Sequence, residues 1–181
     1  VLNQLSHPGA LVDQAEVTGR GTLDQSSGFA LEGRLSAALS GFQPRDPALA
    51  KATGSDIRFD GTLSTEGPGA LRITGMELRG SDYQAAGDAA FDGLEEGLKI
   101  TADLTAEASE LARFSELAGR PLGGAVRADI QGSFTPLSGA FDTELELIAE
   151  DLSAGIAKAD ELLAGTTTLA LKASRDEAGI A

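Results

Sequence analysis

Polar and apolar residues alternate with a period of two along most of this chain. From Val126 to Phe134, Val126, Ala128, Ile130, Gly132 and Phe134 share one parity, and Arg127, Asp129, Gln131 and Ser133 the other. After Thr135-Pro-Leu-Ser-Gly139 the pattern returns as Phe141, Thr143, Leu145 and Leu147 against Asp142, Glu144 and Glu146. A strand with one dry and one wet face gives this period, and a short turn between two such runs gives a hairpin. The same reading applies to Leu11–Leu23 and Phe29–Leu39, divided by a turn at Gln25–Gly28. It applies again to Ile57–Leu63, to Leu71–Leu78 after the turn Thr65–Gly69, to Tyr83–Phe91, to Leu98–Ala106 after the loop Asp92–Gly97, and to Thr167–Ala173. Asp176–Gly179 reads as a further turn, whereas residues 1–9 carry no strand pattern and place His7 in a surface loop beside Pro8-Gly9.

One break in parity is informative. Leu71 and Ile73 share a face, but Met76 and Leu78 are one residue out of phase with them. An extra residue at Gly75 restores a common face, so the pattern predicts a β-bulge there.

Three segments switch toward a helical period. Asp46 and Pro47 supply an N-cap and first position for a short helix near residues 46–52. Leu111, Phe114 and Leu117 or Ala118 fall on one face of a helix over 109–118, with Ser109 as N-cap and Gly119 as stop. Ile156, Ala159 and Leu163 predict another helix within Asp151–Ala164, near residues 153–164, ended by Gly165.

A loose unit recurs along the strands. It reads Phe29-Ala-Leu31-Glu-Gly33-Arg-Leu35, Ile57-Arg-Phe59-Asp-Gly61-Thr-Leu63, Tyr83-Gln-Ala85-Ala-Gly87-Asp-Ala89 and Ala128-Asp-Ile130-Gln-Gly132-Ser-Phe134. Inward glycines permit bending and close backbone approach. The expected fold is therefore mainly β: an elongated, curved antiparallel sheet over residues 1–181, folded over an apolar groove, with two or three short helical insertions. Ten strands span roughly 48 Å along the stacking direction. The residues expected to line the groove are Leu31, Leu35, Ile57, Phe59, Leu63, Leu71, Ile73, Leu98, Ile100, Leu104, Val126, Ile130, Phe134, Phe141, Leu145 and Leu147. If the sheet closes on itself they form a core. If it stays open they offer a surface for an acyl chain.

Composition narrows the function classes. The formal net charge of −14 opposes binding to nucleic acid or to an anionic bilayer surface, both of which draw on Lys and Arg clusters. There is no Cys, which removes disulfides, thiolate catalysis and Cys-based zinc sites, and a single His is a poor basis for a metal site or a triad. The carboxylates of Asp142, Glu144 and Glu146 form a row that reads as a solvated strand face, with weak calcium binding as the other reading; Glu95-Glu96 reads as surface charge. No nucleophile elbow, P-loop or dinucleotide fingerprint occurs. No enzyme activity and no cofactor are expected. No stretch approaches the roughly 20 apolar residues of a membrane-spanning helix, and no signal peptide is visible.

Two segments carry a resemblance. Leu111-Ala-Arg-Phe-Ser-Glu-Leu-Ala-Gly-Arg-Pro-Leu-Gly-Gly124 resembles a recurring helix-and-turn of TamB-type proteins of Gram-negative bacteria. So does Ala149-Glu-Asp-Leu-Ser-Ala-Gly-Ile-Ala-Lys-Ala-Asp-Glu-Leu-Leu-Ala-Gly165 with the Thr-Thr-Thr-Leu that follows. The Gly-centred strands are similar to the rest of that family, which is related to AsmA-like proteins and to bridge-like lipid transporters. The resemblance implies a β-taco with an apolar lining, in a periplasmic body anchored to the inner membrane. It implies a TamA-like outer-membrane barrel as partner of the parent protein, and work in phospholipid movement or autotransporter assembly. The chain would be an internal periplasmic section, and its helices would be insertions over the groove. Phospholipid acyl chains are the expected ligand. The alternative is a structural solenoid or chaperone module that binds nascent outer-membrane β-strands by β-augmentation, with no lipid.

Overall fold

Alternating residues dominate the chain, and the strands they form pair in sequence order. The structure, a computed structural model, describes residues 2–7, 9–24, 30–66, 69–93 and 97–176. Its strands are β1 (Leu2–His7), β2 (Ala10–Asp24), β3 (Ala30–Ser40), β4 (Gln43–Pro44), β5 (Ile57–Glu66), β6 (Ala70–Arg79), β7 (Tyr83–Asp92), β8 (Lys99–Ala108), β9 (Gly123–Thr135), β10 (Ala140–Ser153) and β11 (Thr166–Arg175). They make one antiparallel sheet in the order β1-β2-β3-β5-β6-β7-β8-β9-β10-β11, with the two-residue β4 set beside β2. Apart from β4, the strands neighbour one another in the sheet in the order in which they occur in the chain. The mainly β class and the long antiparallel sheet with short helices are those the alternation predicts, and of the two outcomes it left, closed or open, the sheet is open.

The bulge falls where the parity slips. Ile73 pairs with Ala89 and Met76 with Gly87, so both lie on one face, and the register shifts between them. Gly75 has φ +58, a region open to glycine at little cost, and its N–H donates to the Asp88 carboxylate at 2.7 Å.

The first helical prediction holds. Helix α1 (Pro47–Thr53) starts at Pro47, and the Asp46 carboxylate accepts from the N–H of Ala48 at 2.8 Å. The other two hold as helical insertions, with shorter bounds and other caps. The 109–118 segment is a 3₁₀ turn, Leu111–Phe114, running into helix α2 (Ser115–Ala118) and ending at Gly119. Its cap is Glu110, because Ser109 donates through both its N–H and its hydroxyl to the carbonyl of Asp82. Within 151–164 only α3 (Ala157–Leu163) is helical, and β10 continues to Ser153. The Asp160 carboxylate accepts from the N–H of Ala154, and Asp151 exchanges bonds with Gly165, so side chains hold the start of this segment in a loop. Residues Leu2–His7 are likewise a strand and no loop, paired with β2 from Leu2↔Ala15 to His7↔Ala10.

The turn at Gln25–Gly28, Phe29, Gly67-Pro68, Glu95-Glu96, Pro8 and residues 177–179 lie outside the described residues, as does the side chain of His7.

Among the described residues no second sheet packs on this one. The buried apolar residues are alanines, Ala15, Ala52, Ala108 and Ala149, and among the described residues no large side chain is fully buried. The accessible surface is 11556 Å², against about 8,200 Å² for a compact protein of this size.

Candidate functional site: a continuous apolar face

Directly paired residues in an antiparallel ladder point to the same side, so the register fixes which side chains share a face. One row of partners runs unbroken from β2 to β11: Val17, Ala37, Phe59, Leu78, Ala85, Ala106, Ala128, Leu147 and Leu169. A parallel row joins Met76, Gly87, Leu104, Ile130, Leu145 and Leu171. Nearer the opposite end, Leu71, Phe91, Ile100, Phe134 and Phe141 form a third. Between the last two lies a row of small residues, Ala89, Ala102, Gly132, Thr143 and Ala173. Adjacent rows are two residues apart, about 7 Å, so bulky rows flank a furrow that crosses the strands for about 19 Å from β7 to β11.

The strand-borne candidates all belong to this face. Leu31, Leu35, Ile57, Phe59, Leu63, Leu71, Ile73, Ile100, Leu104, Val126, Ile130, Phe134, Phe141, Leu145 and Leu147 fall on it by register. Leu98 lies just before β8, half-buried and outside the ladder. The register adds Val17, Leu39, Met76, Leu78, Phe91, Leu169 and Leu171. Their parity was visible in the chain; the bulge and the edge strand had to be placed before they could be assigned.

Most of these side chains are half-buried although among the described residues no sheet stacks on them, while most of the intervening charged residues are exposed. Crowding of one face without a covering layer is what curvature toward that face produces. Exposure rises at the margins: Phe134 is 45% exposed, and Leu171 on the last strand 53%. Gly132 sits in the furrow where a Cβ would collide with the carbonyl oxygen of Asp142, so only glycine lets β9 and β10 approach this closely.

The other face is wet and charged. Asp142, Glu144 and Glu146 are exposed there, and Lys172 donates to the Glu144 carboxylate across β10 and β11. That hydrogen bond, with the charge of Glu144, holds the Lys172 ammonium above its ordinary range. Arg127 pairs with Glu107 and Arg72 with Asp92, at half-buried to exposed positions where ion pairs add little. Among the described residues no group of three His, Cys, Asp or Glu side chains is arranged to hold a metal ion. No helix among them is long and apolar enough to cross a membrane.

At one end of the strands the helices gather. Tyr83, on the apolar face, donates from its hydroxyl to the Thr53 carbonyl at the end of α1, at 3.0 Å. Its ring meets Phe114 edge-on at 6.2 Å and lies under the Arg113 guanidinium at 5.7 Å. Arg113 also pairs with Asp82 at 2.6 Å. Burial pushes the Tyr83 phenol above its ordinary range, and the Arg113 charge works against that shift.

No family model, no curated protein and no solved structure matches this chain.

Proposed function

We propose that this chain is one section of a lipid conduit, in which phospholipid acyl chains lie along the concave apolar face while the charged face stays in water. The observation that carries the reading is the unbroken in-register apolar face running from β2 to β11, over which, among the described residues, only the short helices at one end are laid. An exposed apolar surface of this extent normally marks a binding site. The furrow between the Phe91–Phe141 and Leu104–Leu171 rows runs along the stacking axis, the direction in which a chain would travel from strand to strand.

In its cellular form the proposal follows the TamB-type resemblance. The chain would belong to the periplasmic body of an inner-membrane-anchored protein that acts with a TamA-like barrel in outer-membrane biogenesis. A binding assay with a polarity-sensitive dansyl fatty acid, displaced by phosphatidylglycerol, tests the core of it. Ile130→Asp places a charge in the furrow wall and is expected to weaken binding about tenfold or more, because a carboxylate there must be desolvated by the acyl chain. Gln131→Asp puts the same group on the outer face and leaves binding unchanged. Equal binding by both folded variants, or none by the folded parent chain, sinks the reading.

A second reading draws on the margins. Leu169 and Leu171 of β11 are about half exposed, and among the described residues β11 pairs with β10 alone. Such an edge can accept a client β-strand by augmentation. This reading expects crosslinks from β11 to nascent barrel proteins and indifference to Ile130→Asp.

A further inference from the structure

The three helical insertions leave the sheet at the same end, and two of them meet. Helix α1 follows β3 and β4 and leads into β5; α2 with its 3₁₀ turn lies between β8 and β9. From β5 to β8 is three strand spacings, about 14 Å along a flat sheet. The helices nevertheless touch: Lys51 pairs with Glu116 at 3.0 Å, and Arg113 donates to the Ala52 carbonyl at 3.4 Å. Both are then fastened to the middle of the span. Tyr83 on β7 bonds Thr53, and Asp82 in the preceding turn pairs with Arg113.

We propose that α1 and α2 form a releasable clasp that holds this end of the sheet in its curved shape and closes the apolar face there. Among the described residues no helix lies at the opposite end, where 136–139 join β9 to β10 by a turn. The fastening is small. Each helix is short, Ala52 is the buried residue they contribute, and Lys51 and Glu116 are about half exposed. A contact this slight, between elements rooted three strands apart, is a latch more than a core. Arg113 is its centre, since the same guanidinium serves α1, the turn before β7 and the Tyr83 ring. The inference concerns the shape of the sheet and stands whether or not the face carries lipid.

The test uses the absence of Cys from the chain, which makes engineered pairs unambiguous. Spin labels at Arg58→Cys and Ile148→Cys bracket the clasp on the outer face, five strand spacings apart, about 24 Å along a flat sheet. Labels at Glu32→Cys and Thr101→Cys bracket the hairpin end. Pulsed-dipolar distances are expected to be narrow for both pairs in the parent chain. Arg113→Ala lengthens and broadens the helix-end distance by about one strand spacing, roughly 5 Å, and leaves the hairpin-end distance alone. With the labels at 58 and 148 carried instead on a ketone-bearing unnatural amino acid, bridging Lys51→Cys and Glu116→Cys with a short bis-maleimide in the Arg113→Ala background restores the parent distance. Tyr83→Phe removes only the hydroxyl and gives a smaller widening, so it carries the same comparison should Arg113→Ala lose the sheet. Unchanged helix-end distances, equal changes at both ends, or a bridge that restores nothing would each overturn the clasp.

Discussion

The two faces of this sheet are made from alternate residues of the same strands, yet they meet water in different ways. On one face Leu104, Ile130 and Leu145 stand side by side, half-buried with nothing stacked upon them. On the other, Asp103, Gln131 and Glu144 stand in the same three strands and are exposed. In a sandwich the first set would vanish into a core. Here its partial burial comes from curvature, from small residues that let strands close up, and from the neighbouring side chains of the same layer. Backbone ladders and neighbour contacts within one layer hold the fold, so the apolar face is free to be a surface.

That account can be broken first at the furrow. Gly132→Ala forces a Cβ onto the backbone of Asp142 and Thr143, and the expected loss is about 1–3 kcal/mol, the range for overpacking. Denaturant midpoints of the variant against Gln131→Ala, its neighbour on the outer face, provide the check. Equal midpoints would show that close approach of β9 and β10 is not needed.

A smaller loss is expected at Leu104→Ala. In a filled core such a change costs about 2–5 kcal/mol, because a cavity is left behind. Leu104 has no layer above it, so only part of its transfer energy is lost, about 1 kcal/mol. A loss near 4 kcal/mol in the same unfolding experiment would mean that this face is a packed core after all.

The smallest effect belongs to Tyr83, the chain's one tyrosine, which bridges the inner face and the helices. Burial raises its phenol above the ordinary value of 10.0, with Arg113 opposing; Asp82 is the other charged group at the site. The neutral phenol's stabilising contribution is therefore complete below pH 10.0 and is lost as pH rises through the raised value. Ultraviolet titration is expected to show late ionisation together with weakening of the helical end, and Tyr83→Phe removes the alkaline step. Ionisation at the ordinary value would place the ring in open water.

Much of the wall was legible in the sequence because a strand's period is short and local. The slip between Ile73 and Met76 named the bulge, and Asp46-Pro47 named the start of α1, each from neighbouring residues alone. What stayed hidden depended on partners far along the chain. Leu2–His7 has no alternation of its own and is a strand because β2 pairs with it. Ser109 looked like a helix cap, but Asp82 claims it. The helix expected over 151–164 is cut short by the side chains of Asp151 and Asp160, which bind backbone N–H groups beyond the reach of a periodicity count. The candidate lining was legible for the same local reason as the strands. The meeting of Tyr83, Arg113 and Thr53 was not, since no periodicity links residues thirty positions apart.

The central claim is that the inner face carries acyl chains, and neighbouring residues of one strand test it most directly. A photoreactive amino acid is placed at Ile130 or at Gln131, in cells that express the parent protein, and the crosslinked adducts are identified by mass spectrometry. The account predicts phospholipid adducts at Ile130 and none at Gln131. Adducts at both positions, or at neither while the protein remains folded, would contradict it.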